Sequence, residues 1–240
     1  MGIADRRERE KLQRRNTIVD AAEKIFFSKG ISNTTMDEIA EEAELSKATI
    51  YLYFKSKEEL YCAIIQRAMD ILKNYFKEAI DLNACGLERL YHIAQKLYQF
   101  YKDYPNYFES MFHREKNPEY FSYENPMIKD LMEQGEEMYM MGVQIIKDGI
   151  EDGSIRSDVD PYKTALALDG MLGGFIRTIS LEEDHLMKYH NISAAELIHY
   201  SMELIGHALK NKDGCPGKKC NPDKINAKNK GGKCKNRKEK

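Results

Sequence analysis

Residues 34–60 read Thr34-Thr35-Met36-Asp37-Glu38-Ile39-Ala40-Glu41-Glu42-Ala43-Glu44-Leu45-Ser46-Lys47-Ala48-Thr49-Ile50-Tyr51-Leu52-Tyr53-Phe54-Lys55-Ser56-Lys57-Glu58-Glu59-Leu60. The stretch predicts two short helices joined by a tight turn, with another helix beginning just after them. Thr35 and Glu38 have the spacing of a capping box, which starts a helix near Met36. Ile39, Ala40 and Ala43 give that helix one apolar face. Ser46 can cap the next helix, from Lys47 to about Phe54. Within it Ile50 and Phe54 lie four residues apart and should point inward, leaving Lys47, Thr49, Tyr51, Tyr53 and Lys55 with polar or cationic tips. A short helix with ammonium, hydroxyl and phenol groups at its exposed start suits the major groove of DNA.

The flanking sequence is helical throughout. A first helix is expected from about Arg7 to Lys29, with Ile18, Ala21, Ala22, Ile25 and Phe26 on one face and Gly30 as its stop. A fourth, capped by Ser56, should run from Lys57 to about Ile80 with Leu60, Ile64, Ile71, Leu72 and Tyr75 as its buried stripe. A helix that long should leave the N-terminal unit and enter the next one. It is the one element expected to belong to both. A fifth covers about Gly86 to Asp103, and Pro105 opens a short sixth to about His113. After a polar loop, Pro126 opens a seventh to about Asp152, Pro161 an eighth to about Leu181, and the Ser193–Glu196 capping box a ninth to about Lys210. No stretch alternates as a strand. The expected fold is all-α: a three-helix helix-turn-helix domain (1–56) joined by a long helix to a C-terminal bundle (57–210), followed by a disordered basic tail (211–240) with too little apolar surface to offset its chain entropy.

The net charge of −2 hides an asymmetry: residues 1–60 carry −1, residues 61–209 carry −10 and residues 210–240 carry +9. The N-terminal domain is not basic overall, but Arg6, Arg7, Arg9, Lys11, Arg14 and Arg15 crowd its start, and Lys47, Lys55 and Lys57 surround the third helix. The acidic body favours docking on DNA by the N-terminal end alone. The basic start reads either as a frayed, solvated helix end or as an arm along a phosphate strand or minor groove. No apolar stretch is long enough to span a bilayer and no signal-peptide core is present, so a cytoplasmic protein without membrane contact is expected. Of five cysteines, Cys62 and Cys85 read as buried thiols and Cys215, Cys220 and Cys234 fall in the tail; a disulfide framework is not expected.

The segment from Ile18 to Leu60 resembles the DNA-binding domain of the tetracycline-repressor (TetR) family. Ile18, Ala21, Ala22, Phe26, Gly30, Thr34, Thr35, Ile39, Ala40, Ala43, Ser46, Thr49, Ile50, Tyr51, Tyr53, Phe54, Lys55, Lys57, Glu59 and Leu60 carry the resemblance. Two positions depart from the family pattern. Glu44 stands where the turn usually has glycine, so a non-glycine residue there has to take an unusual backbone angle. Ala48 replaces a common glycine and stiffens the third helix. The resemblance implies that Lys47, Ala48 and Tyr51 face base edges of a double-stranded operator while Thr35, Thr49, Tyr53 and Lys57 contact phosphates. It also implies a small-molecule effector bound by the central helices.

The aromatic and methionine content of that region fits an adaptable apolar pocket: Tyr101, Tyr104, Phe108, Met111 and Phe112, then Met138, Tyr139 and Phe175. For each residue singly, core packing is the alternative. His113 and Arg114 could add a polar anchor or simply be surface residues. The eighth and ninth helices, which the family pairs across a homodimer axis, supply Leu168, Leu172, Gly173, Phe175, Ile198, Met202 and Ile205. Three glycines in one helix point to close helix approach. Glu196 and His199 have the spacing of a carboxylate–histidine metal pair, but no second pair accompanies them and capping is the preferred role for Glu196. A Cys₃His zinc site from the tail cysteines and His207 has irregular spacing. No nucleotide-binding glycine motif or nucleophile elbow is present, and no cofactor is implied. The overall expectation is a homodimeric, effector-released repressor on a pseudo-palindromic operator, not an enzyme. Its rivals are an all-α enzyme using the central pocket and an architectural DNA-binding protein.

Overall fold

The computed structural model describes residues 2–80, 82–112 and 126–211, and is all-α, with no strand among those residues. Its helices are α1 (Ile3–Lys29), α2 (Met36–Glu42), α3 (Lys47–Tyr53), α4 (Lys57–Ile80), α5 (Gly86–Asp103), α6 (Pro105–Met111), α7 (Pro126–Glu151), α8 (Pro161–His190) and α9 (Ala194–Leu209). The loop with His113 and Arg114 and the tail from residue 212, with its cysteines, lie outside the described residues.

The capping signals act as expected. Thr35 and Glu38 form a reciprocal capping box at α2, and Ser193 and Glu196 form one at α9. Ser46 Oγ accepts from the Thr49 amide at 3.1 Å, and Ser56 Oγ from the Glu59 amide at 3.3 Å. Glu196 is thus a cap. His199 is engaged elsewhere, by the Tyr91 hydroxyl at Nδ1. Two boundaries differ from the sequence expectation. α1 starts at Ile3, where Asp5 accepts from the Gly2 amide, and α8 continues to His190, where Asn191 closes it at φ 53°. Neither extension has apolar periodicity to announce it.

By compactness the chain divides into two units, residues 1–74 with 99–138 and residues 75–98 with 139–240. α4, α5 and α7 each contribute to both, so α4 is not alone in doing so. In the first unit Ile18, Ala22, Ile39, Ile50, Phe54, Leu60 and Ile64 form a fully buried core. Burying each large side chain contributes about 1.5–3 kcal/mol, which helices as short as α2 and α3 need, since they are unstable alone. Cys62 is buried there as a free thiol, its pKa pushed up to about 12 by burial. Cys85 is buried too, but is disulfide-bonded rather than free, a correction that no local sequence pattern signals.

In the second unit Leu90, Val143, Ile145, Ile146, Ile155, Ala165 and Leu209 form the core. Close helix approach occurs at Gly86 of α5 and Gly149 of α7. A Cβ on Gly86 would lie 2.3 Å from the Gly149 Cα, and one on Gly149 would lie 2.5 Å from Ile155 Cδ1. Gly170 and Gly174 of α8 do not serve this purpose within the chain: a Cβ on either would meet no atom within 4 Å among the described residues. Gly86→Ala should therefore lower stability by about 1–3 kcal/mol, because backbone rather than a flexible side chain has to give way, while Gly170→Ala should not. Thermal melts of both variants against the parent check this pair.

Candidate nucleic-acid interface

The orientation of α3 follows from its two buried residues. Ile50 and Phe54 are sunk in the core. About 100° of rotation per residue then turns Ala48, Tyr51 and Leu52 away from the core, and Lys55, just past the helix, is exposed as well. Tyr51 is 38% exposed and Leu52 78%, while Lys47 and Ala48 are also exposed. Leu52 was not among the sequence-based candidates. Its signal was available, because two residues past Ile50 is about 200° around the helix from the core. The turn that positions α3 carries Glu44 at φ 54°, the unusual non-glycine angle expected from the sequence.

The polar groups are partly engaged with one another. Lys47 Nζ lies 2.6 Å from Asp37 Oδ1 in the first turn of α2, and that hydrogen bond holds its proton more tightly than usual. Thr35 donates its hydroxyl to Glu38 at 3.0 Å, inside the capping box. The Glu38 carboxyl falls to about 2, first through its bond with Lys29 and then through Thr35. Thr49 Oγ1 shares a hydrogen bond with Ser46 Oγ at 2.8 Å. Tyr53 is half-buried and packs against the core. Lys55 Nζ donates to the Tyr51 carbonyl at 3.0 Å.

Lys57 is placed differently from the phosphate contact its family position implies. Its ammonium donates to the carbonyls of Ile31, Thr34 and Ser32 at 2.9, 3.3 and 3.4 Å. It ties the start of α4 to the turn after α1.

A polar network joins α1, α4 and α6 in the same unit. Arg67 Nη1 lies 2.7 Å from Asp20 and 2.8 Å from Glu23, and the Tyr107 hydroxyl donates to Glu23 at 2.8 Å. Tyr107 also meets Phe27 edge-on, at 5.5 Å between ring centres. Burial pushes the Glu23 carboxyl up despite these donors, and pushes Tyr107 up to about 12, with Glu23 adding to it.

Of the proposed effector-binding residues, those on α5 and α6 come together. Tyr101 meets Phe108 at 5.4 Å, and Phe108 meets Phe112 at 5.1 Å. Phe108 is fully buried, Tyr104 packs on Phe100 at 5.8 Å, and Met111 lies against the first unit's core. Met138 belongs to this unit too, whereas Tyr139 and Phe175 belong to the other, where Tyr139 donates to Asp169 at 3.0 Å.

The proposed dimer residues need revision. Leu172, Gly173, Ile198 and Met202 are buried within the chain, and Leu168 and Ile205 pack against its core; Phe175 is half-buried. Helices apolar on more than one side do not reveal by spacing which side is outermost. The exposed large apolar and aromatic residues are Tyr162, Leu166, Met171, Leu181, Met187 and Tyr189 on α8 and Tyr200 and Leu204 on α9.

Residues 18–64 match the family described as bacterial regulatory proteins, tetR family. The chain is 26% identical over 153 residues to the transcriptional repressor KstR2 of Mycolicibacterium smegmatis, covering 61% of this chain and 70% of that one. It is 34% identical over 88 residues to the transcriptional activator FasR of the same organism, covering 37% and 40%. A solved structure of AibR in complex with isovaleryl coenzyme A and operator DNA has the same fold, with a TM-score of 0.55 at 20% identity over 68% of this chain and 86% of that one. Residues 18–64 thus carry the DNA-binding domain of the TetR family, and the chain is similar to transcriptional regulators of that family. Among the described residues no helix is long and apolar enough to cross a membrane.

Lys57→Ala should destabilise the protein by about 1.5–3 kcal/mol, the range for hydrogen bonds to a charged group. A denaturant titration that cannot tell Lys57→Ala from the parent would show that the three carbonyl contacts contribute nothing.

Proposed function

We propose that this chain is a cytoplasmic, homodimeric repressor, released from a pseudo-palindromic operator by a small, mainly apolar or aromatic effector, and that it is not an enzyme. The outward face of α3 carries the reading. Lys47 and Tyr51 supply donors for base edges, and the methyl groups of Ala48 and Leu52 suit the thymine methyl. The Lys47–Asp37 pair is solvent-exposed and so costs little to exchange for a base or phosphate. Thr35, Thr49 and Tyr53 lie at the margins of this face as phosphate contacts. Lys57 serves it indirectly, by holding the α4 start in place. The division of labour at residue 56 is functional: the helices before it touch DNA, and those after it sense and assemble.

Homodimerisation is supported by the exposed row on α8. Leu166, Gly170, Gly174 and Leu181 fall within one helical face, and the two glycines leave room for a neighbouring helix. Tyr200 and Leu204 add a second row on α9. A two-fold partner would cover these rows, and its symmetry would set the half-site spacing.

The effector reading rests on the Tyr101–Phe108–Phe112 ring cluster, with Tyr104, Met111 and Met138 of the same unit as further lining. AibR, a protein of the same fold, is solved with isovaleryl coenzyme A, a ligand that joins a short apolar acyl group to a polar, anionic carrier. Switching does not depend on α4 alone. Tyr107 ties α6 to Glu23 of α1 and thereby to Arg67 of α4, so a displacement of α6 is felt by both helices that frame the DNA-binding core. For release, the effector has to favour the DNA-incompetent state by about 1–3 kcal/mol.

Three variants check the reading. Lys47→Ala with Tyr51→Ala should weaken binding to a duplex selected by the parent protein from a random library by about 1–3 kcal/mol per residue, without unfolding the chain. Unaltered binding would remove the assignment of α3. Gly174→Leu should convert a sedimenting dimer to monomer, and a parent that is already monomeric at micromolar concentration would contradict the assembly. Tyr107→Phe should keep DNA affinity while blunting release by whichever hydrophobic effector a screen identifies. An unchanged dose response would remove Tyr107 from the switch.

A further inference from the structure

The N-terminal part of α1 stands outside the folded core: Ala4 to Arg14 are all exposed. Its charges are arranged by face. Arg7, Lys11 and Arg14 continue the four-three spacing of Ile18, Ala21 and Ile25, the residues by which α1 packs on the first unit's core. The stripe that is apolar where α1 meets the core thus becomes basic where α1 runs past it.

On the other faces the charges are spent within the helix. Arg6 pairs with Glu10 at 2.8 Å, Arg9 donates to the Asp5 carbonyl at 3.4 Å, and Asp5 accepts from the Gly2 amide at 3.0 Å. Glu8 is the remaining acid. Arg7, Lys11 and Arg14 make no hydrogen bond or ion pair among the described residues. A helix polar all round gains nothing from burial, and three unpaired cations near its positive end disfavour it. A polyanion laid along the stripe reverses that balance.

The stripe's position decides which polyanion. Arg15, next in sequence to Arg14, holds its guanidinium over the Phe54 ring, 5.1 Å from its centre. Phe54 is the residue that ends α3. The basic stripe therefore starts beside the end of the proposed recognition helix. From there α1 extends roughly 18 Å at ~1.5 Å per residue, enough to follow one DNA strand past more than one phosphate.

We propose that Arg7, Lys11 and Arg14 form a helical arm that lies along a DNA phosphate strand next to the segment read by α3, adding affinity without sequence preference. This rests on the α3 reading above. The probe is a duplex selected by the parent protein from a randomised library, with ten base pairs of mixed sequence added on either side, and a scrambled version of it. Fluorescence anisotropy across a potassium chloride series then compares the parent, the triple variant Arg7→Gln, Lys11→Gln, Arg14→Gln, and the Lys47→Ala, Tyr51→Ala variant. A matching Arg7→Lys, Arg14→Lys variant controls for folding and should behave as the parent.

For the triple variant, affinity for both duplexes should fall and the slope of log affinity against log salt should flatten by roughly two to three per engaged protomer. The ratio between selected and scrambled duplex should stay as in the parent. The Lys47, Tyr51 variant should do the reverse, losing the ratio. A triple variant with parental affinity and slope would overturn the arm while leaving the α3 reading in place. A triple variant that loses the ratio would show base reading rather than phosphate contact, and would also overturn it. A parent protein that never distinguishes the two duplexes, or enriches none, would overturn the α3 reading and the arm with it.

Discussion

The burial of Ile50 inside the seven-residue α3 and of Phe54 at its C-cap, four residues apart, is the constraint on which the functional geometry rests. A helix that short has no stability of its own. It exists because one side is held in a core built from α1, α2 and α4, and because Ser46 satisfies its first free amides. Once those two residues are fixed, the rotation of every other α3 residue follows. Ala48, Tyr51 and Leu52 are turned away from the core at 3.6 residues per turn, and Lys47, on the Ile50 side by rotation, is exposed in the first turn of the helix. The capping box at Thr35 and the positive φ at Glu44 then set the angle at which α2 hands the chain to α3.

The same core is tied by polar groups to α6, the helix that the proposal assigns to effector sensing. Glu23 is expensive to keep ionised where it sits, and burial raises its pKa despite an arginine and a phenol bonded to it. A group held at such a cost, between α1, α4 and α6, makes their relative placement sensitive to small displacements. Breaking one partner leaves a half-buried charge less well compensated. That is the physical content of the proposed switch. It also explains why α6, a short helix opened by Pro105, can matter to α1, which lies far from it in sequence.

Most of the first unit was legible in the sequence because its signals are local. Capping boxes, a serine cap, the Ile50–Phe54 pair and the glycine-to-glutamate departure at position 44 are each readable within a few residues. Leu52 was legible too, by counting around the helix from Ile50. What escaped was non-local. Nothing near Lys57 announces that its ammonium ends on carbonyls more than twenty residues earlier, and Cys85 gives no sign of a disulfide. On α8, apolar residues occur on more than one side, so Leu172 and Gly173 could not be told from Leu166 and Gly170 without the fold. The glycines that permit close packing proved to be Gly86 and Gly149, which stand alone in their segments of sequence.

The central claim, that the outward face of α3 meets the major groove, is tested most directly by site-specific photocrosslinking. A photoreactive benzophenone side chain is placed at position 52, or as a control at exposed position 181 of α8, and the protein is irradiated on a labelled duplex enriched by the parent protein. Position 52 should crosslink to base carbons inside the enriched sequence, at two places related by the operator's symmetry, and position 181 should give no DNA adduct. Crosslinking from position 181 with none from position 52 would contradict the account.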